Sequence, residues 1–423
     1  MHSLWLSVTF AAAVALTLLL KYWLATRQVR HVAAHRPAVP AAFANTVSLS
    51  SHQKAADYTV VRARFGMVSL ALGTALLIAW TLLGGLDTLN AVVRDAVQPR
   101  WGDMAYQLLL LTAFVLISSL LDAPLELYNT FRIEQRFGFN RTTLRLYLID
   151  AAKGLLVGAL IGLPMAALVL WLMASAGAWW WLWAWGAWVA FQLLILVLYP
   201  TVIAPLFNKF EPLPDEALKQ RVQSLMARCG FAAKGLFVMD GSRRSAHSNA
   251  YFTGLGTAKR VVFYDTLLKR LSAGEVEAVL AHELGHFKLR HVPKRMLTIF
   301  AMSLVALALL GWLTQQQWFY SGLGVTPNLA APNDALALLL FMLVLPPFGF
   351  LLVPLSSRVS RRHEFEADAY ACEQASGRDL ASALLKLHED NAGTLTPDPV
   401  YVSFYYSHPP ASERLAALKM EPA

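Results

Sequence analysis

The stretch Ala281-His282-Glu283-Leu284-Gly285-His286 decides how this chain is read. It has the form His-Glu-x-x-His inside a helical pattern. Residues four apart on a helix share nearly one face, so His282 and His286 can grip a single metal ion. Glu283, beside them, is placed to act as general base on water activated by that ion. The neighbours support the helix. Ser272-Ala273-Gly274-Glu275 has the spacing of a capping box, Val276, Val279 and Leu280 form an apolar stripe, and Pro293 marks a stop or kink. A polar helix with two solvated histidines fits less well, because the flanks are strongly apolar and histidines there need partners.

A soluble chain of 423 residues would divide into two or three domains. Composition overrules that expectation. Hydrophobic residues make up 57% and charged residues 15%, and several apolar runs approach or exceed the length that spans a bilayer. The net charge of +9 is therefore a matter of topology. Lys and Arg flank the apolar runs instead of lining one face, which argues against a nucleic-acid partner. Cys229 and Cys372 stand alone, with neither a disulfide framework nor a thiolate zinc site.

Seven apolar runs are expected to cross the membrane, at about 4–24, 66–86, 104–121, 154–176, 179–199, 296–313 and 335–355. The first is not a cleaved signal, because its positive charges, Arg27 and Arg30, follow it. The fourth carries Gly154, Gly158 and Gly162, a ladder that permits close helix approach, and Pro164 can kink it. The fifth opens with Trp179, Trp180, Trp181, Trp183 and Trp185, as expected at a headgroup boundary. Basic residues crowd alternate loops. The pattern predicts seven spans with the N-terminus outside and the C-terminus cytoplasmic. The polar segments from Thr201 to Arg295 and from Ser356 onward then share the cytoplasmic side. In the first of them, Pro214 to Cys229 reads as an amphipathic helix. Leu236–Met239, Asn249–Phe252 and Arg260–Tyr264 read as short strands. Gly254-Leu255-Gly256 reads as a turn with no phosphate-binding role.

Two histidines do not complete a catalytic zinc site, which takes three protein ligands. The last segment offers Arg361-Arg362-His363-Glu364-Phe365-Glu366-Ala367-Asp368. Glu364 and Asp368 share a helix face, so one can bind metal while the other supports the site. Arg361 and Arg362 can pair with surplus carboxylates, Glu366 points elsewhere, and His363 is a competing ligand. Spacing alone does not choose among them.

The motifs occur in an ordered set. It comprises Phe131 to Asn140, Tyr199-Pro200, Ala204 to Phe210, Asp240 to Ser245, His247 to Phe252, His282 to His286, Glu364 to Asp368, Ser407 to Pro410 and Glu413-Arg414-Leu415. In these blocks the chain resembles the type I CAAX prenyl proteases, integral-membrane zinc metallopeptidases, with a bacterial homologue expected from its size. It is more distantly similar to smaller bacterial quality-control membrane peptidases, which lack most of the early blocks. Glu366 is a departure, since relatives often carry Gln there.

The resemblance implies a mainly α, integral-membrane fold: seven transmembrane helices enclosing a chamber, with a metallopeptidase domain of one His-Glu-x-x-His helix and a small β-sheet on the cytoplasmic side. The organisation expected is 1–200 for helices one to five, 201–295 for the segment with the motif, 296–355 for helices six and seven, and 356–423 for the segment with the third ligand. The resemblance further implies one Zn2+ per chain on His282, His286 and Glu364, with Glu283 as base and His408 facing the site to help stabilise the oxyanion. Asp368 and Arg414 would support the ligands. Asn249, Ala250, Tyr251 and Phe252 would form an edge strand that holds an extended peptide, a mode that uses backbone hydrogen bonds. The expected function is proteolysis near the C-terminus of CAAX-type substrates, prenylated or similar, in a bilayer that chain size and loop brevity suggest is a bacterial inner membrane. Clearance of misfolded membrane proteins is the alternative. A seven-helix transporter or receptor is a third reading, disfavoured because the runs hold few mid-membrane charges.

Overall fold

Inside a bilayer every backbone amide must find its partner within the segment or in a closed barrel, so long apolar runs fold as helices. A computed structural model describes residues 1–231, 235–253 and 260–418. Among these residues seven helical segments are long and apolar enough to cross a membrane, as the apolar runs predict. Gly254-Leu255-Gly256 lies outside the described residues.

The first half of the chain forms α1 (His2–His35), α2 (Leu49–Trp80), α3 (Gly85–Tyr128), α4 (Leu144–Ser175), α5 (Trp180–Leu198) and the short α6 (Ala204–Phe207). The helices outrun the apolar runs. α2 has 32 residues, about 48 Å at 1.5 Å per residue, against a hydrocarbon core of roughly 30 Å. Its first turns, capped by Ser48, carry Lys54 and Arg62 in a stretch that sequence alone treats as a loop. In α3 the chain breaks at Gly102 (φ 77°, ψ 179°), a conformation open to glycine. The apolar run from Met104 begins just after it.

The polar middle forms β1 (Phe210–Pro212), α7 (Glu216–Arg228), β2 (Gly235–Met239), β3 (Ala250–Thr253), β4 (Arg260–Tyr264), α8 (Asp265–Arg270) and α9 (Ala273–Lys288). The sheet order is β1-β2-β4-β3. β2 and β4 are parallel, and β1 and β3 pair antiparallel with them. The three strands read from sequence are present. β1 was not anticipated: at three residues ending in Pro212, it has too little alternation to signal itself. The remainder is α10 (His291–Leu313), α11 (Gln317–Ser321), α12 (Asp334–Gly349), α13 (Val353–Gln374), α14 (Gly377–Asp390), α15 (Pro399–Tyr405) and α16 (Ala411–Ala417).

Apolar burial concentrates at two opposite ends. One cluster joins Phe10 and Val14 of α1, Tyr106 and Leu110 of α3, Leu170 of α4, Trp180 of α5, Leu310 of α10 and Leu336 and Leu340 of α12. The tryptophan-rich start of α5 is at this end, with Trp180 buried and Trp179 and Trp183 exposed. The other cluster joins Val222 and Leu225 of α7, Val261 and Phe263 of β4, Val276, Leu280 and Leu284 of α9, and Ala371 of α13. Between the ends the helices are not packed solid. In the most apolar window of α2 no residue is buried, and α1 reaches only 17%. Against α1 and α2 the structure holds a cavity of about 830 Å³, and the first cluster closes one end of the helix bundle while the second caps the other.

Two contacts hold the cap in place. Arg244 makes a two-pronged ion pair with Asp150 of α4, at 2.8 and 3.0 Å. Glu134, at the end of the helical segment that continues α3, stands 3.6 Å from His247 Nε2 of the cap and accepts from the hydroxyl of Tyr58 in α2 at 2.6 Å. At the start of α9 the capping box is formed: Glu275 N–H reaches Ser272 Oγ at 3.3 Å, and Ser272 N–H reaches Glu275 Oε2 at 2.7 Å.

α9 and α13 lie unusually close. A Cβ on Gly285 would stand 3.0 Å from the Ala367 Cα and 3.1 Å from its carbonyl oxygen. Both are backbone atoms and cannot swing aside. Replacing Gly285 with Val is therefore expected to push α13 away from α9. Metal analysis of the purified variant should show loss of the bound ion, while its far-ultraviolet helix signal stays that of the wild type.

Candidate metal centre and substrate groove

α9 brings His282 Nε2 and His286 Nε2 to 3.2 Å. α13 crosses them with Glu364, whose Oε2 lies 3.5 Å from His282 Nε2 and whose Oε1 lies 3.3 Å from His286 Nε2. The three ligand atoms lie within 4.8 Å of one another. Glu364 is buried, and its Oε2 has no hydrogen-bond partner. A buried carboxylate oxygen left unpaired is costly. Two imidazole nitrogens turned toward that carboxylate form a His-His-Glu donor set that fits a divalent cation.

Of the residues that spacing left open, the fold separates all three. Asp368 turns to the far side of His282, its Oδ1 2.8 Å from Nδ1. It also accepts from Arg414 of α16, Nε to Oδ2 at 2.8 Å, with a second contact from Nη2 to Oδ1. A hydrogen held on His282 Nδ1 by that carboxylate leaves the Nε2 lone pair aimed at the centre. His363 faces away from the centre and stacks on His291, ring centroids 4.0 Å apart. Arg362 pairs with Glu366 at 2.9 Å as expected. Among the described residues Arg361 pairs with no carboxylate: where α15 packs beside α13 it donates to the carbonyls of Val402 and Tyr406, at 3.1 and 2.9 Å.

His291 is the residue that sequence reasoning missed. Arg290 takes a left-handed conformation, φ 57°, which ends α9 and turns His291 back toward it. Its Nδ1 lies 2.9 Å from His286 Nδ1, and its Nε2 lies 3.0 Å from Glu366 Oε2. Spacing rules follow a continuous helix and carry no signal across such a break.

Burial alone would push the His282 imidazole below its ordinary value, but the Asp368 carboxylate bonded to Nδ1 and the Glu364 carboxylate 3.5 Å from Nε2 outweigh it and hold the group up at about 9. Without a cation this ring keeps its proton at neutral pH. Glu283, next in the chain, is half-buried and makes no hydrogen bond or ion pair with a described residue.

His408 reaches the centre from the other side, Nε2 3.4 Å from Glu364 Oε1, with its side chain 66% exposed. It lines a cavity of about 740 Å³ together with Asn249, Tyr264, Asn391 and Arg414. β3 ends the sheet, and Tyr264 N–H donates to the Asn249 carbonyl at 3.0 Å. By antiparallel alternation, Asn249 and Tyr251 then face β4, and the backbones of Ala250 and Phe252 face the open edge. Tyr251 packs edge-on against Tyr264. Arg62 and Asn391 line both this cavity and a second one of about 830 Å³, which runs between α1 and α2 past Lys21, Gly66 and Leu70. Two residues thus border both the groove and the space between the membrane helices.

Comparison with known proteins follows the same division. Residues 28–209 match the family model described as CAAX prenyl protease N-terminal, five membrane helices, and residues 212–421 match Peptidase family M48. The CAAX prenyl protease 1 homolog of Oryza sativa subsp. japonica is 33% identical over 404 residues, covering 92% of each chain. The CAAX prenyl protease 1 of Saccharomyces cerevisiae is 37% identical over 318 residues, covering 71% of this chain and 69% of its own. The crystal structure of S. mikatae Ste24p superposes with a TM-score of 0.90 at 30% identity, covering 98% of both chains.

The proton on His282 sets a pH dependence. A cation needs the neutral ring, so below about pH 9 it must displace a proton. Its apparent affinity for chelator-stripped protein is expected to rise by roughly tenfold per pH unit and to level off above the imidazole's own value. Competition calorimetry at several pH values measures this, and a flat profile would contradict the assignment of that proton.

Proposed function

This chain belongs to the CAAX prenyl protease family within Peptidase family M48, a multi-pass membrane metalloendopeptidase acting on peptide or protein substrates, and from that premise we propose that it is a zinc enzyme cutting near the C-terminus of CAAX-like, lipidated substrates. One zinc per chain would be held by His282, His286 and Glu364. The unpartnered Glu364 Oε2 and the His-His-Glu donor set support that reading. Zinc, when bound, would supply a Lewis acid that lowers the pKa of water and polarises a carbonyl.

The chain's own residues do the rest. Ala250 and Phe252, after Asn249, pair with an extended peptide along the free edge of β3 and lay it across the centre. Glu283, without a hydrogen-bond or ion-pair partner among the described residues, takes a proton from the attacking water and delivers it to the leaving amine. His408 presents Nε2 where negative charge develops on the scissile carbonyl oxygen. Asp368 and Arg414 keep the His282 ring from turning. Segments 201–295 and 356–418 act together as the catalytic unit. The alternating basic loops support an external N-terminus and a cytoplasmic C-terminus. The bacterial inner membrane rests on chain size and loop brevity alone, and the relatives named above come from plants and fungi.

The observation that carries the substrate class is that Arg62 and Asn391 line both the peptide groove and the interhelix cavity, so the two adjoin. A peptide on β3 can place an attached lipid among membrane helices without exposing it to water.

Two measurements test this. Glu283→Gln is expected to lower turnover by at least about a hundredfold while zinc content stays at one per chain; zinc-dependent cleavage at the wild-type rate would remove Glu283 from its role. Mass-spectrometric mapping on farnesylated and bare peptides, with and without chelator, should show C-terminal cleavage that the farnesyl group accelerates. Equal internal cleavage of unmodified, misfolded membrane proteins would point to clearance instead.

A further inference from the structure

Beside the first centre a second group of metal-ligating side chains converges. His291 of α10 and His363 and Glu366 of α13 offer ligand atoms that all lie within 4.8 Å of one another. His291 is 4% exposed, and its Nε2 stands 3.0 Å from Glu366 Oε2. His363 stacks on its ring with planes 10° apart. No part of the proteolytic mechanism uses His363 or Glu366. Two imidazoles and one carboxylate are a zinc-class donor set, not one for a hard cation such as Mg2+.

We propose that His291, His363 and Glu366 form a second divalent-cation site of the zinc class, whose loading antagonises the catalytic centre. A tetrahedral site with bonds of about 2.0 Å has ligand atoms roughly 3.3 Å apart, so His363, on the accessible side, must swing inward to close it. Arg362 already holds Glu366 Oε1, and the cation must compete with that guanidinium. The second site is therefore the weaker of the two.

The antagonism follows from one hydrogen. His286 Nδ1 and His291 Nδ1 lie 2.9 Å apart, and a hydrogen bond between them holds a single proton. When His286 gives its Nε2 lone pair to the first centre, its neutral ring carries the hydrogen on Nδ1 and donates it to His291. His291 then bears its own hydrogen on Nε2 and donates it to Glu366. A cation on His291 Nε2 reverses this: the ring's hydrogen must move to Nδ1, where it meets the Nδ1–H of His286. Two donors cannot share that bond, so filling the second site breaks it and turns His286 away from its ligand geometry.

The experiment counts Co2+ bound to chelator-stripped, full-length protein by native mass spectrometry in detergent. Two equivalents are expected for the wild type. One is expected for His363→Phe, which keeps the ring stack, and one for Glu364→Gln. The double variant should bind none, which separates this site from the ligand set of the first. In parallel, peptide turnover should fall as the second equivalent binds to the wild type and hold steady in His363→Phe. A wild type saturating at one equivalent, or His363→Phe still taking two, overturns the site. Inhibition by excess metal that persists in His363→Phe overturns the antagonism.

Discussion

The contact on which the structure depends is the approach of α9 to α13 at Gly285 and Ala367. With the room for a Cβ already taken at 3.0 Å, the two helices sit as near as side chains allow. Only at that distance can the Glu364 carboxylate meet both His282 and His286. The packing is held by ordinary apolar burial around it, Val276, Leu280 and Leu284 against Ala371 and their neighbours. The cost of gathering three polar groups in a largely buried cleft is met by that burial. The centre is in this sense a by-product of a helix crossing.

Electrostatics then orders what packing assembles. Each group at the centre is fixed by the one behind it: Arg414 holds Asp368, Asp368 holds His282, and His291 stands behind His286 with Glu366 behind it. In a site of low dielectric such chains are strong when every member is satisfied and costly when one is not. The exceptions carry the chemistry. Glu364 Oε2 is buried without a hydrogen-bond partner, and Glu283, next to His282 in the chain, has no described partner to tie up its carboxylate.

The membrane part serves the same site by what it leaves unfilled. A solid bundle would bury most of each helix, whereas here apolar burial gathers at the plug and under the cap. The walls between can stay open because lipid solvates their outer faces and the plug and cap fix their ends. Arg244, paired with Asp150, ties the cap to α4, and His247 reaches Glu134 at the end of the α3 span. Several of the ordered sequence motifs thus turn out to be fastenings between cap and wall, not reacting groups.

The sequence by itself determined the local facts. Apolar run length set the seven spans, because a bilayer admits few alternatives. The Ser272–Glu275 box and the i, i+4 histidines set the His-Glu-x-x-His helix and put both imidazoles on one side of it, since both depend on contacts within one or two turns. Tertiary structure decided everything that needed two segments at once. It chose Glu364 over Asp368 and His363 as the residue facing the histidine pair, because spacing along α13 puts Glu364 and Asp368 on one face and only the crossing with α9 tells them apart. It sent Arg361 to backbone carbonyls. It also drew His291 beside His286 across a break in the helix, where no periodicity reaches, and so created a second cluster of ligands that no local pattern could announce.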